Sequence, residues 1–287
     1  MRSVLEPSRR TRISGARQLA NRDLAQVLRV LDSDPVASCM VAARLQEYGL
    51  DSRGGHGELW SRGGPAASLC FSGANLVPLR GGSEDLKAFA ERATRWPRLC
   101  SSVVGRQELA LPLWELLADH WGPARDLRDE QPLLALDGTA RTAADPKVRR
   151  VRPDELDRYL VAAVAMFTEE IGVDPRSGDG GRGYRRRVAS LIQAGRAWAR
   201  FEDGEVVYKA EVGALSRRTG QIQGVWVHPE WRGRGLGASG TAAIANTVVA
   251  SGRTASLYVN SYNEVARRAY AKVGFRQVAT FATVLVD

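Results

Sequence analysis

Over residues 148–287, segments with apolar residues at helical spacing alternate with short apolar runs typical of strands. Apolar residues recur at helical intervals from Leu156 to Phe167, after Pro153-Asp154-Glu155, which suits a first helical turn. Asp203-Gly204 separates two apolar runs and predicts a hairpin turn. The pattern predicts a strand at 148–151, helices from 153 and over 184–193, strands at 197–202, 205–215 and 222–228, a helix at 237–251, a strand at 256–260, a helix at 263–273 and terminal strands.

The same order of elements is predicted, more faintly, in the first half of the chain. It comprises helices at 21–33 and 35–48, strands at 57–61, 65–72 and 75–79, a helix at 84–94, a strand at 99–104, a helix at 108–121 and the stretch 131–136. Because the likeness is one of pattern only, both a tandem repeat of one fold and an unrelated α/β domain stay open. The small, polar stretch 138–146 ends in proline and predicts a domain boundary.

Composition narrows the classes of protein. A chain of 287 residues favours two domains. The formal charge of +9 is spread along the chain among acidic residues, so we expect solvated arginines and no nucleic-acid partner. No apolar run approaches the roughly 20 residues of a membrane helix, and the basic N-terminus leads into no signal-type stretch, so a cytoplasmic protein without a membrane partner is expected. Cys39, Cys70 and Cys100 form no metal-type pair and are expected to be reduced, buried thiols.

The run from Val225 to Ala238 contains an apolar strand, a proline turn and a glycine-rich loop that opens a helix of small residues. Glycines let several N–H groups point inward, and a helix N-terminus adds partial positive charge, which together suit a phosphate. A Walker P-loop would end in Gly-Lys-Ser/Thr, which is absent. A dinucleotide site is disfavoured, because no Asp or Glu lies between Trp231 and Asn263 to hold a ribose.

Two motifs follow in order. The first is Arg232-x-x-Gly235-x-Gly237, a form of Q/R-x-x-G-x-G/A, and the second runs from Asn263 through Tyr270 to Phe275 as N-x-x-A-x-x-x-Y-x-x-x-G-F. With this order and spacing, residues 148–287 resemble the GNAT acetyltransferases.

Together with the repeated order of elements, the resemblance predicts an α/β (α+β) fold of tandem GNAT-like domains, each with a mixed, mostly antiparallel central sheet flanked by helices. It divides the chain into a degenerate domain at 1–140 and an acetyl-CoA-binding domain at 146–287. The first half has Arg80-Gly-Gly-Ser-Glu84 in place of the motif, so any site for the cofactor there is expected to be lost.

The resemblance also assigns roles. The N–H groups of Arg234 to Ala238 are expected to hold the pyrophosphate of acetyl-CoA, with Arg232 or Arg234 adding charge. Strand-like bonds from Val225 and Val227 would align the pantetheine arm. The predicted catalytic groups are the N–H of Val227, which polarises the thioester carbonyl, and Tyr270, which protonates the leaving thiolate. The expected cofactor contacts are Val225, Trp226, Val227, Arg232, Gly233, Arg234, Gly235, Leu236, Gly237, Ala238, Asn263 and Tyr270.

Three of these residues have a second interpretation. An Asn directly before a helix is also an ordinary N-cap, so Asn263 could serve that purpose alone. The alternation of β-strand side chains turns Trp226 away from its neighbouring valines and towards a core. Val225 and Val227 also fit a buried strand, since backbone and side chain can serve different purposes. His228 is expected to fix the turn that follows the strand.

The general base is not evident. Many family members carry a carboxylate where this chain has Gln221, Gln223 and Tyr258. The remaining candidates are Glu211, Glu169, Glu170 and a water-mediated path.

The predicted function is therefore an N-acetyltransferase. It would move the acetyl group of acetyl-CoA to an amine, on a small molecule or on a protein N-terminus or lysine, by direct attack in a ternary complex and without a metal. The alternative is a non-catalytic, acetyl-CoA-sensing regulatory protein. The missing carboxylate favours the sensor, whereas Tyr270 and Asn263 disfavour it. The acceptor, the role of the first half and the oligomeric state are not determined by the sequence.

Overall fold

The computed structural model describes residues 15–50, 55, 57–177 and 179–286, and the basic N-terminal stretch lies outside them. The first half contains β1 (Arg17–Gln18), α1 (Leu24–Leu31), α2 (Cys39–Tyr48), β2 (Glu58–Ser61), β3 (Leu69–Ser72), β4 (Leu76–Arg80), α3 (Ser83–Ala93), β5 (Ser102–Arg106), α4 (Gln107–Trp121) and β6 (Asp126–Leu136). The second half contains β7 (Arg149–Arg150), α5 (Leu156–Ile171), α6 (Arg182–Gln193), β8 (Ala197–Glu202), β9 (Glu205–Leu215), β10 (Thr219–Val227), α7 (Leu236–Ala250), β11 (Thr254–Tyr258), α8 (Glu264–Val273) and β12 (Arg276–Leu285).

Both halves have the same order of elements: a strand, two helices, three strands, a helix, a strand, a helix and a strand. The predicted tandem repeat is therefore confirmed, and the alternative of an unrelated first domain is wrong. The predicted strand at 65–72 is shorter, because residues 65–67 form a turn in which Ala67 N–H donates to the Gly64 carbonyl at 3.0 Å. The terminal strands are one strand, β12.

The strands form one 12-stranded sheet with the order β1-β2-β3-β4-β5-β12-β6-β11-β10-β9-β8-β7. The last strand of each half is exchanged. β12 pairs antiparallel with β5 of the first half, and β6 pairs antiparallel with β11 of the second half. β6 and β12 also pair with each other at the centre of the sheet. The division of the chain at 138–146 stays a prediction, and backbone pairing crosses it at both exchanged strands.

Two strand pairs are parallel, β4 with β5 and β10 with β11. β10 and β11 are register partners from Thr219↔Thr254 to Gln221↔Ser256, after which β10 continues to Val227 without a described partner on that side. A cleft therefore opens between the carboxyl ends of β10 and β11. Most of the candidate site lies beside it.

Four apolar clusters cover the two faces of the sheet. On one face, α1 and α2 pack on the first half and α5 and α6 on the second. On the other face lie α3 and α4, and α7 and α8. Cys39, Cys70 and Cys100 are buried free thiols, as predicted. Within the described ranges, no helix is both long enough and apolar enough to cross a membrane.

Candidate functional site

The glycine-rich loop joins β10 to α7. Gly233 and Gly235 have φ angles of +77° and +82°, which glycine adopts without the steric penalty of a side chain. Across the described chain, no group accepts the N–H groups of residues 233–237, whereas Ala238 N–H donates to the Gly235 carbonyl at 3.1 Å. Successive free N–H groups thus lie at the N-terminus of α7, where the helix dipole favours an anion. Ala238 N–H is the one predicted donor with a partner inside the chain.

The two arginines of the loop have different contacts. Arg232 places Nη2 2.8 Å from both Glu169 carboxylate oxygens and donates from Nε to the Val227 carbonyl at 3.1 Å. Its hydrogen bonds lower the pKa of Glu169 and tie the loop to α5 and β10. The Arg234 guanidinium stacks on Trp231, 4.9 Å from the ring centroid, and has no ion pair with a described residue. Arg234 is therefore the arginine whose charge is available to an anion.

The N–H of Val227 points away from β9. His228 N–H donates to the Val207 carbonyl at 3.0 Å, so these two residues form a hydrogen-bonded pair. Antiparallel pairs alternate in type, and the preceding pair, Val227 with Tyr208, is therefore of the non-hydrogen-bonded kind. The Val227 carbonyl accepts the Nε–H of Arg232 on the side that faces away from β9. The N–H of Val227 consequently faces the cleft between β10 and β11.

β10 bulges beside this residue. The register with β9 shifts between Gln223 and Trp226, and Gly224 has a φ of +57°. A Cβ at Gly224 would lie 3.1 Å from Lys209 Nζ, which is fully buried and 2.9 Å from the Glu211 carboxylate. The bulge therefore packs against a buried ion pair.

α8 contributes the two residues of the second motif. Asn263 caps the helix, because its Oδ1 accepts the Ala266 N–H at 3.1 Å. Tyr270 is 7% exposed, and burial, followed by the negative charge of Glu170, raises the pKa of its phenol. The phenol is thus protonated at neutral pH and can donate a proton. None of the described groups hydrogen-bonds its hydroxyl.

A cavity of about 490 Å³ lies on the sheet face covered by α2 and α5. Val225, Trp226, Asn263 and Tyr270 from the predicted site line it, whereas Val227 and the loop 232–238 do not. Val227 is joined to the loop by the Arg232 bond described above. Trp226 packs in the cluster under α5 and α6 and donates its indole N–H to Glu169 at 3.0 Å, so its side chain lies in the core as the alternation predicted.

Sequence reasoning missed the residues that line the rest of this cavity. Some belong to α5, β10 and the segment from β11 to α8, and the others come from the first half and the exchanged strands. The latter include Ala37, Met40, Asn75, Ser102, Arg128, Gln131 and Thr283. In the sequence, the one sign of this part of the lining was Gln131, because it is a polar residue at the start of an apolar run. No pattern in the sequence indicates that β6 and β12 cross to the other half.

The residues that stand where a catalytic carboxylate would be expected line the cavity. They are Gln221, Gln223 and Tyr258. Glu211 is buried away from the lining and accepts hydrogen bonds from Lys209 and, at 3.3 Å, from Tyr159.

The other two candidate bases differ in how firmly they are held. Glu169 is held by Arg232 and Trp226. Glu170 lines the cavity with a half-exposed side chain, and its carboxylate is 3.8 Å from Arg128 Nη1, beyond hydrogen-bond distance. Glu170 is therefore the carboxylate with the greatest freedom to accept a ligand N–H.

His228 packs its ring edge-to-face on Trp226, with the ring centroids 5.8 Å apart. No described group bonds its buried Nδ1. This contact agrees with a role in fixing the turn.

Two family models match the chain. Residues 205–284 match an FR47-like protein family, and residues 57–159 match a domain of unknown function (DUF4081). The first match covers β9 to β12 and so includes the loop, the cleft and Tyr270. The second runs from β2 into α5 and so spans the stretch 138–146.

Solved structures share the architecture over nearly the whole chain. A GNAT-family acetyltransferase from Colwellia psychrerythraea has a TM-score of 0.57 at 12% identity, covering 95% of this chain and 99% of its own. A Drosophila protein has a TM-score of 0.67 at 14% identity, covering 94% and 98%. A tandem GNAT protein from the clavulanic acid biosynthesis pathway has a TM-score of 0.54 at 14% identity, covering 94% and 98%. This chain has a tandem GNAT fold.

A curated relative of the tandem GNAT chain shares only part of its length. The granaticin polyketide synthase bifunctional cyclase/dehydratase of Streptomyces violaceoruber is 28% identical over 169 residues, which are 52% of this chain and 49% of that protein. The chain thus spans about half the length of the curated relative it matches. The cyclase/dehydratase description applies to that protein alone.

The start of α3 in the first half differs from the start of α7, its counterpart in the repeat. Gly82 precedes α3 as Gly235 precedes α7, but the Asp85 carboxylate accepts the Gly82 N–H at 2.9 Å. Glu84, which pairs with Lys87 at 2.8 Å, adds a second carboxylate in the same helical turn. A phosphate at the start of α3 would meet carboxylates. The loss of a cofactor site in the first half stays a prediction.

The buried pair behind the bulge allows a stability prediction. Burial alone would raise the pKa of Glu211, but the charge and hydrogen bond of Lys209, with smaller contributions from Arg187 and Gln223, lower it. Lys209→Met leaves a buried carboxylate unpaired and is expected to reduce the free energy of unfolding by about 3 to 5 kcal/mol at pH 7.5, as measured by urea denaturation.

The loss should shrink as the pH falls. The wild type loses its ion-pair contribution below the ordinary Glu pKa of about 4.3, as Glu211 becomes protonated, whereas the variant is relieved of an unpaired charge by the same protonation. Lys147→Met is the control, because Lys147 pairs with Glu202 at an exposed site, where the expected change is about 0 to 1 kcal/mol. Equal losses in the two variants would contradict the prediction.

Proposed function

We propose that this tandem GNAT protein is an N-acetyltransferase that moves the acetyl group of acetyl-CoA to an amine by direct attack within a ternary complex. The observation that most supports the proposal is the row of free N–H groups at 233–237, directly after a strand whose Val227 N–H faces the cleft. The FR47-like match and the fold indicate acyl transfer as the class of chemistry.

The loop suits the pyrophosphate of acetyl-CoA. Gly233 and Gly235 have positive φ angles and carry no side chain that could stand between the backbone and a ligand. The space beside both residues is open. Arg234 would add charge, whereas Arg232 would hold the loop in place through Glu169. Acetyl-CoA supplies the acetyl group as a thioester.

Two groups of the chain would act on the reacting atoms. The Val227 N–H would donate to the carbonyl oxygen as negative charge develops there, and loss of one such donor costs about 3 to 4 kcal/mol in acyl-transfer enzymes. Tyr270, which is protonated at neutral pH, would donate its phenolic proton to the departing sulfur. The amine would give up its proton to Glu170 or to water, the departing thiolate would take the proton of Tyr270, and solvent would reprotonate the phenolate. Amine and acetyl-CoA thus yield an amide and free thiol.

Calorimetric titration with acetyl-CoA tests whether the chain binds this cofactor and how many sites it has. We expect one site per chain, with a Kd on the order of micromolar. A second site of similar affinity would contradict the inference that Asp85 blocks α3. Absence of heat and of a thermal shift, in protein whose circular dichroism shows it folded, would overturn the proposed function.

A non-catalytic sensor of acetyl-CoA is the alternative, and Gln221, Gln223 and Tyr258 in the cavity favour it because none of them is a carboxylate. A sensor binds acetyl-CoA without turnover. The release of free thiol from acetyl-CoA in the presence of amines therefore separates the two functions.

A further inference from the structure

The cavity extends beyond the cleft of the second half. Its lining includes Asn75 of the loop before β4, Ser102 of β5, and residues of both exchanged strands. Arg128 on β6 and Val104 on β5 are both register partners of Thr283 on β12, so the three form one row across the central strands. Neither half of the chain contains this surface by itself.

Three charged side chains line the cavity, and two of them are carboxylates. Its lining contains Arg128, Glu169 and Glu170, of which Glu169 is paired with Arg232. Arg128 is 8% exposed and donates from Nε to Asp126 at 2.8 Å and from Nη2 to the Glu170 carbonyl at 3.1 Å. Asp126 lies outside the lining and takes the Nε–H of Arg128, so the Glu170 carboxylate, 3.8 Å from Nη1, keeps free acceptor positions at the cavity wall. Such a carboxylate attracts a cation.

Neutral polar groups continue from this charged end towards the first half. Gln131 is 3% exposed and fixed at both ends, since Nε2 donates to Asn260 at 2.7 Å and Oε1 accepts Thr283 at 2.6 Å. Ser102 donates to Asn75 Oδ1 at 2.7 Å, and the Asn75 amide group faces Met40 Sδ at 3.8 Å. A thioether is a weak acceptor, so a hydroxyl or carbonyl oxygen of a ligand would replace it favourably.

We propose that the acceptor is a small cationic primary amine that also carries hydroxyl or amide groups. Its ammonium group lies beside Glu170, and its polar remainder extends over the exchanged strands to Asn75 in the first half. This inference depends on the proposed acetyl transfer and assigns the first half a part in selecting the acceptor. The volume of about 490 Å³, which the acetyl end of acetyl-CoA must share, suits a small molecule.

The first experiment compares defined amines as acceptors in full-length protein. The probes are glucosamine, 1,4-diaminobutane and lysinamide as cationic amines, glutamate and aspartate as acidic amines, and a lysine-containing peptide. We expect kcat/KM for the best cationic probe to exceed that of the acidic probes by at least about tenfold. Preference for an acidic probe, or turnover of the peptide alone, would overturn the inference.

Two variants locate the subsites. Glu170→Gln is expected to raise KM for the best amine about tenfold or more without changing the Kd of acetyl-CoA, because it removes a half-exposed charge and keeps the side-chain shape. Asn75→Ala should raise the amine KM in the same selective way, although Asn75 belongs to the first half. Glu115→Gln on α4, exposed and outside the cavity lining, is the matched control and should change neither constant.

The outcomes distinguish failure of the proposed acetyl transfer from failure of the proposed acceptor. Failure to bind acetyl-CoA would reject acetyl transfer itself. Binding of acetyl-CoA without turnover of any cationic probe would reject the acceptor class and leave the cofactor site standing. An unchanged amine KM in both Glu170→Gln and Asn75→Ala would reject the proposed acceptor position, even if a cationic probe were acetylated.

Discussion

A Gly237→Glu variant is expected to fold as the wild type does and to bind acetyl-CoA at least about 100-fold more weakly, which is roughly 2.8 kcal/mol. A Cβ at Gly237 would lie 3.9 Å from Val227 Cγ2, an ordinary contact, so the new side chain fits. A carboxylate in the first turn of α7 interacts favourably with the helix dipole. The same charge repels a pyrophosphate and competes for the N–H groups of 233–237. Calorimetry measures the affinity, and thermal unfolding checks the fold.

The repeated architecture provides a matched control for this variant. Ser83 is exposed in the first turn of α3, the counterpart of α7, and Ser83→Glu adds the same carboxylate there. Since Asp85 and Glu84 already block that helix start, Ser83→Glu should leave acetyl-CoA binding unchanged. Weakened binding in both variants would indicate a general effect of added charge. Undiminished binding in Gly237→Glu would remove the loop from the proposed site.

Tyr270→Phe should lower kcat by roughly 10²-fold and leave the Kd of acetyl-CoA within about twofold of the wild-type value, because a general acid acts in the transition state. The ring keeps its packing against Phe275, and only the hydroxyl is lost. Since the pKa of Tyr270 is raised above its ordinary value of about 10, wild-type kcat should not fall on the alkaline side until well above that pH. Thiol release from acetyl-CoA, with the best amine as acceptor, measures both effects.

The control for this variant is Tyr184→Phe. Tyr184 donates its hydroxyl to the Ala163 carbonyl at 2.9 Å, between α5 and α6, and does not line the cavity. Its loss should cost about 1 kcal/mol of stability and leave kcat unchanged. If Tyr270→Phe turns over at the wild-type rate, Tyr270 is a packing residue. If neither the wild type nor the variant shows turnover, the sensor alternative gains support.

Elements with local signals could be predicted closely from the sequence. The strand expected at 205–215 matches β9, and the helix expected at 237–251 differs from α7 by one residue at each end. A hairpin turn at Asp203-Gly204 and a glycine-rich loop before α7 fix these boundaries through nearby residues. The candidate loop and α8 were found for the same reason, since each motif lies within one short segment.

The partners of β6 and β12 could not be predicted, because hydrophobic periodicity shows which side chains are buried and not which strand lies alongside. β6 begins at Asp126, earlier than the stretch expected at 131–136. Its first residues are polar and resemble a loop, yet Arg128 and Gln131 face a polar cavity. The wall of the cavity that the first half supplies depends on this non-local pairing, and no short segment encodes it.

The exchange of β6 and β12 also determines when each strand can pair during synthesis. The edge of β5 is translated early, since β5 ends at Arg106, but its neighbour β12 begins only at Arg276. At about 5 to 20 residues per second, that edge waits roughly 10 to 30 seconds on the ribosome without its strand. β6 must likewise wait for β11. A ribosome that stalls within the second half would therefore release a chain with unpaired strand edges in both halves, a substrate for chaperones and proteases.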